Sequence, residues 1–207
     1  MPPEKEFLLF GITPEVLSPL QLSQVNDLFQ EGLDYLYIRS EATTAASWYP
    51  LLEKIDPAYH PRLLLPGYVP GGAAGSKYLR HIREKERPLC QVEGGKSQSF
   101  FSTSIHDLSV VAQLAGHYTY VFYSPLFPSI SKPGYLPQLS LSAVAFQLAG
   151  LQQKARDLPG IIGLGGVNAT NIAQVKAAGF QGAALLGALW QSGSPAENLV
   201  RIKEVLE

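Results

Sequence analysis

Gly160-Ile161-Ile162-Gly163-Leu164-Gly165-Gly166-Val167-Asn168, running on to Ala183-Ala184-Leu185-Leu186-Gly187-Ala188, is the stretch on which the fold turns. Gly160 to Leu164 is a short apolar run, the length of a buried strand, and Gly165-Gly166 closes it. Residues 169–178 then read as a helix. Ala183 to Leu186 is a second apolar run, closed by Gly187. Strand, helix and strand in that order mean two parallel strands with a crossover helix.

The same alternation extends in both directions. Downstream, Ser194-Pro195-Ala196-Glu197 has the form of a capping box with proline at the first helical position. The final helix carries Leu199, Ile202, Val205 and Leu206. Upstream, Tyr118 to Tyr123 is a strand, followed by a loop holding Pro125, Pro128, Pro133 and Pro137. Residues 139–154 are a helix with Leu141, Val144, Leu148 and Leu151 on one side. Phe100 to Ser104 is a strand and 107–115 a helix.

The first half begins with Phe7 to Ile12 as a strand, 16–32 as a helix stopped by Gly32, Tyr35 to Arg39 as a strand and 45–55 as a helix. Arg62 to Leu65 is the third strand and Tyr78 to Ile82 the fourth. Residues 66–77 are too rich in Gly, Ala and Pro for a full helix, and 83–98 read as a loop or irregular helix. Eight strand-helix units predict a single-domain (β/α)8 TIM barrel over residues 1–207. An open doubly wound sheet is the alternative if one or two units are miscounted.

Composition sets outer limits. The chain has 207 residues, 46% hydrophobic and 16% charged, with a formal net charge of -1. This is an ordinary globular balance, with no basic field for nucleic acid. Cys90 is the sole cysteine, so no internal disulfide forms, and the chain reads as reduced and cytoplasmic. Met1 to Glu6 holds no apolar h-region, and no apolar run approaches the ~20 residues of a membrane span. Loop-rich barrels often pair, which leaves a homodimer open.

In a TIM barrel, functional groups follow the strands at the C-terminal face. After the seventh and eighth strands stand Gly165-Gly166 and Gly187-Ala188, where backbone N–H groups can approach an anion. Plain turn glycines are the bland alternative. After the sixth strand come Ser129, Ser131 and Lys132, hydroxyls and an ammonium suited to phosphate, or else a solvated loop. After the fifth comes Ser104-Ile105-His106, where a histidine is placed for proton transfer unless it merely caps the next helix. His60 and His117 precede strands and belong on the opposite face, and His81 lies within or at the end of the fourth strand. No set of Asp, Glu and His has metal-ligand spacing.

Together these segments resemble the thiamine phosphate synthase/TenI superfamily. The resemblance rests on Gly163 to Ile172, on Ala177 to Leu189, on Ser124 to Lys132 and on Ser104-Ile105-His106. It is close over about residues 100–206. It implies a TIM barrel that binds a thiazole phosphate. The family's synthases join a hydroxymethylpyrimidine pyrophosphate to that phosphate using Mg²⁺. Its TenI-type members shift a proton on a thiazole carboxylate phosphate and need no metal. The resemblance makes His106 the acid/base and sets Gly165, Gly166, Gly187 and Ala188 at the phosphate. Arg39, Ser104, Ser129, Ser131 and Lys132 are then further ligand contacts. The chain departs from the synthases after strand two, where Arg39-Ser40-Glu41 keeps the arginine but carries a glutamate for a lysine. After strand three, Pro66-Gly67 replaces Asn-Asp, and Glu86 stands near a second metal carboxylate's place. A TenI-like tautomerase therefore leads, with a working synthase and a non-catalytic binding barrel as alternatives.

Overall fold

The computed structural model describes residues 6–39, 45–67, 77–87, 100–128, 134, 136–154 and 157–207. Eight parallel strands follow one another in chain order: β1 (Leu8–Ile12), β2 (Tyr35–Tyr37), β3 (Leu63–Pro66), β4 (Leu79–Ile82), β5 (Phe100–Ile105), β6 (Tyr118–Tyr123), β7 (Gly160–Leu164) and β8 (Gly182–Leu185). β1 pairs with both β2 and β8, so the sheet closes. This is the predicted TIM barrel, and closure removes the open sheet.

Alternation along the strands sorts side chains into two cores. Inside the barrel, Phe10, Tyr37, Leu64, Phe122 and Ile162 pack in one cluster. Phe10 stacks on Tyr35 at 4.9 Å between centroids and meets Phe122 edge-on at 5.2 Å. The interior is thus plugged by aromatic rings, and a ligand is confined to the mouth. Outside, Leu9, Leu36, Leu65, Val121 and Ile161 pack against helix residues such as Val25, Leu28, Val144, Val175 and Ile202.

The helical layer departs from prediction in several places. The expected helix over 16–32 is two pieces, α1 (Pro19–Ser23) and α2 (Val25–Gln30). α1 opens on a capping box between Ser18 and Gln21. α3 spans Ala45–Leu52, with Pro50 inside. The predicted helix over 107–115 is a 3-10 segment, Leu108–Leu114. α4 (Leu141–Lys154) matches its prediction closely. α5 (Ile172–Ala177) starts late because Asn168 to Asn171 are used in a turn. α6 (Gly187–Trp190) is a short helix the sequence reading did not contain. α7 spans Pro195–Glu204, but Ser194 makes no side-chain capping bond. Asn198 secures that entry instead, donating to the carbonyls of Ser192 and Leu189 at 2.6 and 3.0 Å.

Candidate active site

The mouth is built where the loops after β6 and β7 zip together. Leu126 N–H donates to Leu164 O and Phe127 N–H to Gly165 O, each at 3.0 Å, so the parallel pairing continues past the strands. Gly165 and Gly166 have φ of 96° and 68°, the left-handed region that favours glycine. Side chains there would also collide. A Cβ on Gly166 would lie 2.5 Å from Pro128 O, and one on Gly165 3.0 Å from Pro125 Cα. These glycines therefore admit the neighbouring loop as well as any anion. Asn168 and Asn171 both donate to Gly166 O, at 3.2 and 3.0 Å, and fix the turn. Neither asparagine was singled out from the sequence. Gly187 opens α6, and the first N–H groups of a helix have no partner within it.

His106 stands at the same rim. Its Nδ1 lies 2.7 Å from Ser124 O. A carbonyl only accepts, so Nδ1 carries the proton and donates, leaving the Nε2 lone pair free. Nε2 lies 3.8 Å from Glu84 Oε2, and both side chains are nearly half exposed. An imidazolium formed at His106 would find that carboxylate beside its new N–H. The helix-cap alternative fails, because Asp107 caps the next segment: its carboxylate accepts from Ser109 N at 2.8 Å and Ser109 Oγ at 2.7 Å. Those bonds hold the Asp107 carboxyl below its usual range. Ser124 ties His106 to the wall of β6 and β7. Glu84, the partner the sequence reading missed, comes from the charged stretch read as a loop.

Behind the rim lies a polar cluster inside the barrel. His81, on β4, is 2% exposed. Its Nδ1 is 2.9 Å from Ser102 Oγ and its Nε2 3.0 Å from Ser104 Oγ, both on β5. Burial, reinforced by the Arg83 charge, pushes the His81 imidazole down to about 3. It is a neutral ring at any physiological pH. Ser104 lies within β5, as read from the sequence, and the strand runs one residue further to Ile105, just before His106.

Arg39 is engaged within the chain. Its Nη2 pairs with Glu15 Oε1, from the loop after β1. Its backbone is clamped by Thr13, whose buried Oγ1 accepts from Arg39 N at 3.0 Å. The carboxylates after β4 are also committed. Glu86 binds Arg83, with Arg83 Nε donating to Glu86 Oε1 at 2.6 Å, and Glu84 binds Arg87. After β3, Pro66-Gly67 supplies no carboxylate. Among the described residues no group of three or more His, Cys, Asp and Glu is placed to hold a metal. Mg²⁺ wants hard, unpaired oxygen ligands, and this donor set does not fit it. Glu41, Cys90, Ser129, Ser131 and Lys132 lie outside the described residues. No described helix is long and apolar enough to cross a membrane.

A family model described as thiamine monophosphate synthase matches residues 9–189. The thiamine-phosphate synthase of Listeria monocytogenes serovar 1/2a is 31% identical over 115 residues, 54% of this chain and 51% of that protein. The thiamine-phosphate synthase of Listeria innocua serovar 6a is 35% identical over 117 residues, with the same shares of both chains. The match therefore spans about half the length of these curated relatives. A solved thiamine phosphate pyrophosphorylase from Bacteroides thetaiotaomicron superposes with a TM-score of 0.74 at 23% identity, covering 97% of this chain and 98% of that one. One from Pyrococcus furiosus gives 0.69 at 12% identity, covering 97% and 96%. At such identities these two speak for the fold alone.

Proposed function

Because this chain belongs to the thiamine monophosphate synthase family, whose model spans most of it, we propose that it is a thiamine-biosynthesis enzyme binding a thiazole phosphate at the barrel mouth and shifting a proton on its ring. The observation that carries this reading is the tautomer of His106. Its Nδ1–H is spent on Ser124 O, so Nε2 is the base. Nε2 takes a proton from a ring carbon, and the imidazolium pairs with Glu84 before returning the proton elsewhere on the ring. The glycine loop after β7 and the start of α6 hold the phosphate. By the family resemblance, Ser129, Ser131 and Lys132 are further contacts of that phosphate. Such a shift requires only a positioned base and a held substrate.

A second reading is favoured by the relatives' names: thiamine phosphate synthesis from a pyrimidine pyrophosphate and a thiazole phosphate. Against it stand the pairing of Arg39 with Glu15 and the committed carboxylates after β4. Turnover with Mg²⁺ and both substrates is expected far below the ~10 s⁻¹ of a median enzyme. A rate within about tenfold of that value would install the synthase reading instead.

The deciding experiment pairs binding with turnover. A thiazole phosphate should raise the melting temperature and its dephosphorylated form should not. At a hundredfold excess over Kd the stabilisation is about 2.7 kcal/mol. His106→Asn should slow tautomer conversion ~10²–10⁴-fold and leave that shift intact. Equal shifts from both compounds refute the phosphate site. Wild-type-like turnover by the variant refutes the role of His106. Binding without turnover by the native chain makes it a binding barrel.

A further inference from the structure

We propose that His81 is a positioning residue, held as the Nε2–H tautomer by Ser102, that turns the Ser104 hydroxyl into a dedicated donor toward an anionic oxygen of the ligand. The inference deepens the reading of the mouth given above and rests on it for the ligand, though not for the tautomer.

The argument is a count of protons. A neutral imidazole has one N–H and one lone pair, and each serine has one O–H. Both ring nitrogens are used, Nδ1 on Ser102 and Nε2 on Ser104. His81 and Ser102 are register partners on β4 and β5, and Ser104 is two residues on, along the same face. Contacts with the Tyr37 and Phe122 rings, at 4.4 and 5.0 Å, hold the imidazole plane. Ser102 is fully buried, and among the described residues its hydroxyl meets only His81 Nδ1. If Nδ1 carried the proton, Ser102 would have to accept it, and its own O–H would be sealed without an acceptor. A buried unpaired donor bears its full desolvation penalty. Ser102 therefore donates to Nδ1, and Nε2 carries the ring proton. Nε2–H then donates to Ser104 Oγ, whose own proton is left over. Ser104 is half-buried, at the end of β5 that opens on the mouth. Its proton has one direction to go, outward. The three groups form a head-to-tail chain, Ser102 to His81 to Ser104, in which each donor sharpens the next. Because the ring stays neutral, acid does not reverse it within the working range of the protein.

Nitrogen NMR of the full chain, labelled at histidine, reads the tautomer directly. A protonated Nε2 and bare Nδ1 for His81 are expected, and the opposite assignment overturns the inference. Ser102→Ala should release the constraint, so that the His81 signal moves toward a mixture of tautomers. A signal unchanged by that substitution also overturns it. For the donor role the probe is inorganic phosphate, followed by calorimetry. Ser104→Ala should weaken phosphate binding about tenfold, as loss of one charge-assisted hydrogen bond does, and Ser102→Ala by a smaller factor. Equal affinity of Ser104→Ala and wild type removes the donor role even if the tautomer is as expected. If the native chain binds no phosphate while His81 is the Nε2–H form, the phosphate reading of the mouth fails and the tautomer assignment stands.

Discussion

Acidification to about pH 5 should cost this protein about 2 kcal/mol through His81 alone. The imidazole titrates near 3 in the folded chain, against a reference value of 6.5. Above the reference value both states are neutral and His81 contributes no pH dependence. Between the two values the unfolded chain takes up a proton that the folded one refuses, so stability falls as pH falls. Below the folded value the loss levels off. At pH 5 the difference is RT ln(1 + 10^1.5), which is about 2 kcal/mol, or roughly 4–8 °C in melting temperature for a chain of this size. Other histidines and carboxylates add their own slopes, so the comparison must be with His81→Phe. Phenylalanine fits between Tyr37 and Phe122 but strands the buried Ser102 hydroxyl, at a cost of about 1–3 kcal/mol near neutrality. Urea melts of both proteins at about pH 7.5 and pH 5 measure the gap between them. It should shrink by about 2 kcal/mol on acidification. A gap that does not change with pH would refute the buried neutral ring, and with it the network on which Ser104 depends.

Gly166→Ala should destabilise by at least ~2 kcal/mol, since its Cβ would strike Pro128 O at 2.5 Å in a backbone of positive φ; a denaturation midpoint equal to wild type would show the wall after β6 to be loose. Gly187→Asp is the cleaner probe of anion binding, because its Cβ meets only the Gln191 side chain, at 3.3 Å. It should abolish the phosphate-induced melting shift with little loss of stability, and a retained shift would move the phosphate elsewhere. Glu15→Gln should release Arg39 and strengthen pyrophosphate binding severalfold by calorimetry; unchanged affinity would mean that Arg39 does not face the ligand.

The barrel was legible because most strands are local apolar runs, and β3, β7 and β8 have a glycine just beyond them. Six residues sufficed to recognise β6 and five to recognise β7, and the parallel order followed from alternation. Helix lengths were less legible, since turn chemistry competes for the same residues. Asn168 could have been the first residue of a long helix, yet its side chain caps Thr170 and delays α5. Asp107 does the same after β5. Placement of His106 at the C-terminal face was readable from strand order. Its partners were not. Ser124 is 18 residues away, and Glu84 comes from another strand's loop. Contacts between neighbouring loops leave no periodic mark in a sequence. His81 was visible as a histidine on the fourth strand, but the two serines that use both its nitrogens show only when β4 and β5 are in register.

The charge arrangement at the mouth bears on which ligand it can take. Arg39, Arg83 and Arg87 each face a carboxylate of the chain itself: Glu15, Glu86 and Glu84. A pyrophosphate would have to compete with those carboxylates for the same guanidinium groups, and leaving a carboxylate beside a polyanion is unfavourable. The phosphate end needs no such exchange. Its proposed donors are backbone N–H groups at the glycine loop and the start of α6, together with the neutral Ser104 hydroxyl, and none of these is paired with an acid. A site of neutral donors tolerates a single phosphate without a counter-ion already spent elsewhere. His106, proposed as the base beside that phosphate, has the Glu84 carboxylate 3.8 Å from its Nε2. On the proposed reading, a weakened pyrophosphate grip and a retained base both trace to these ion pairs, since Glu84 pairs with Arg87 and also faces His106.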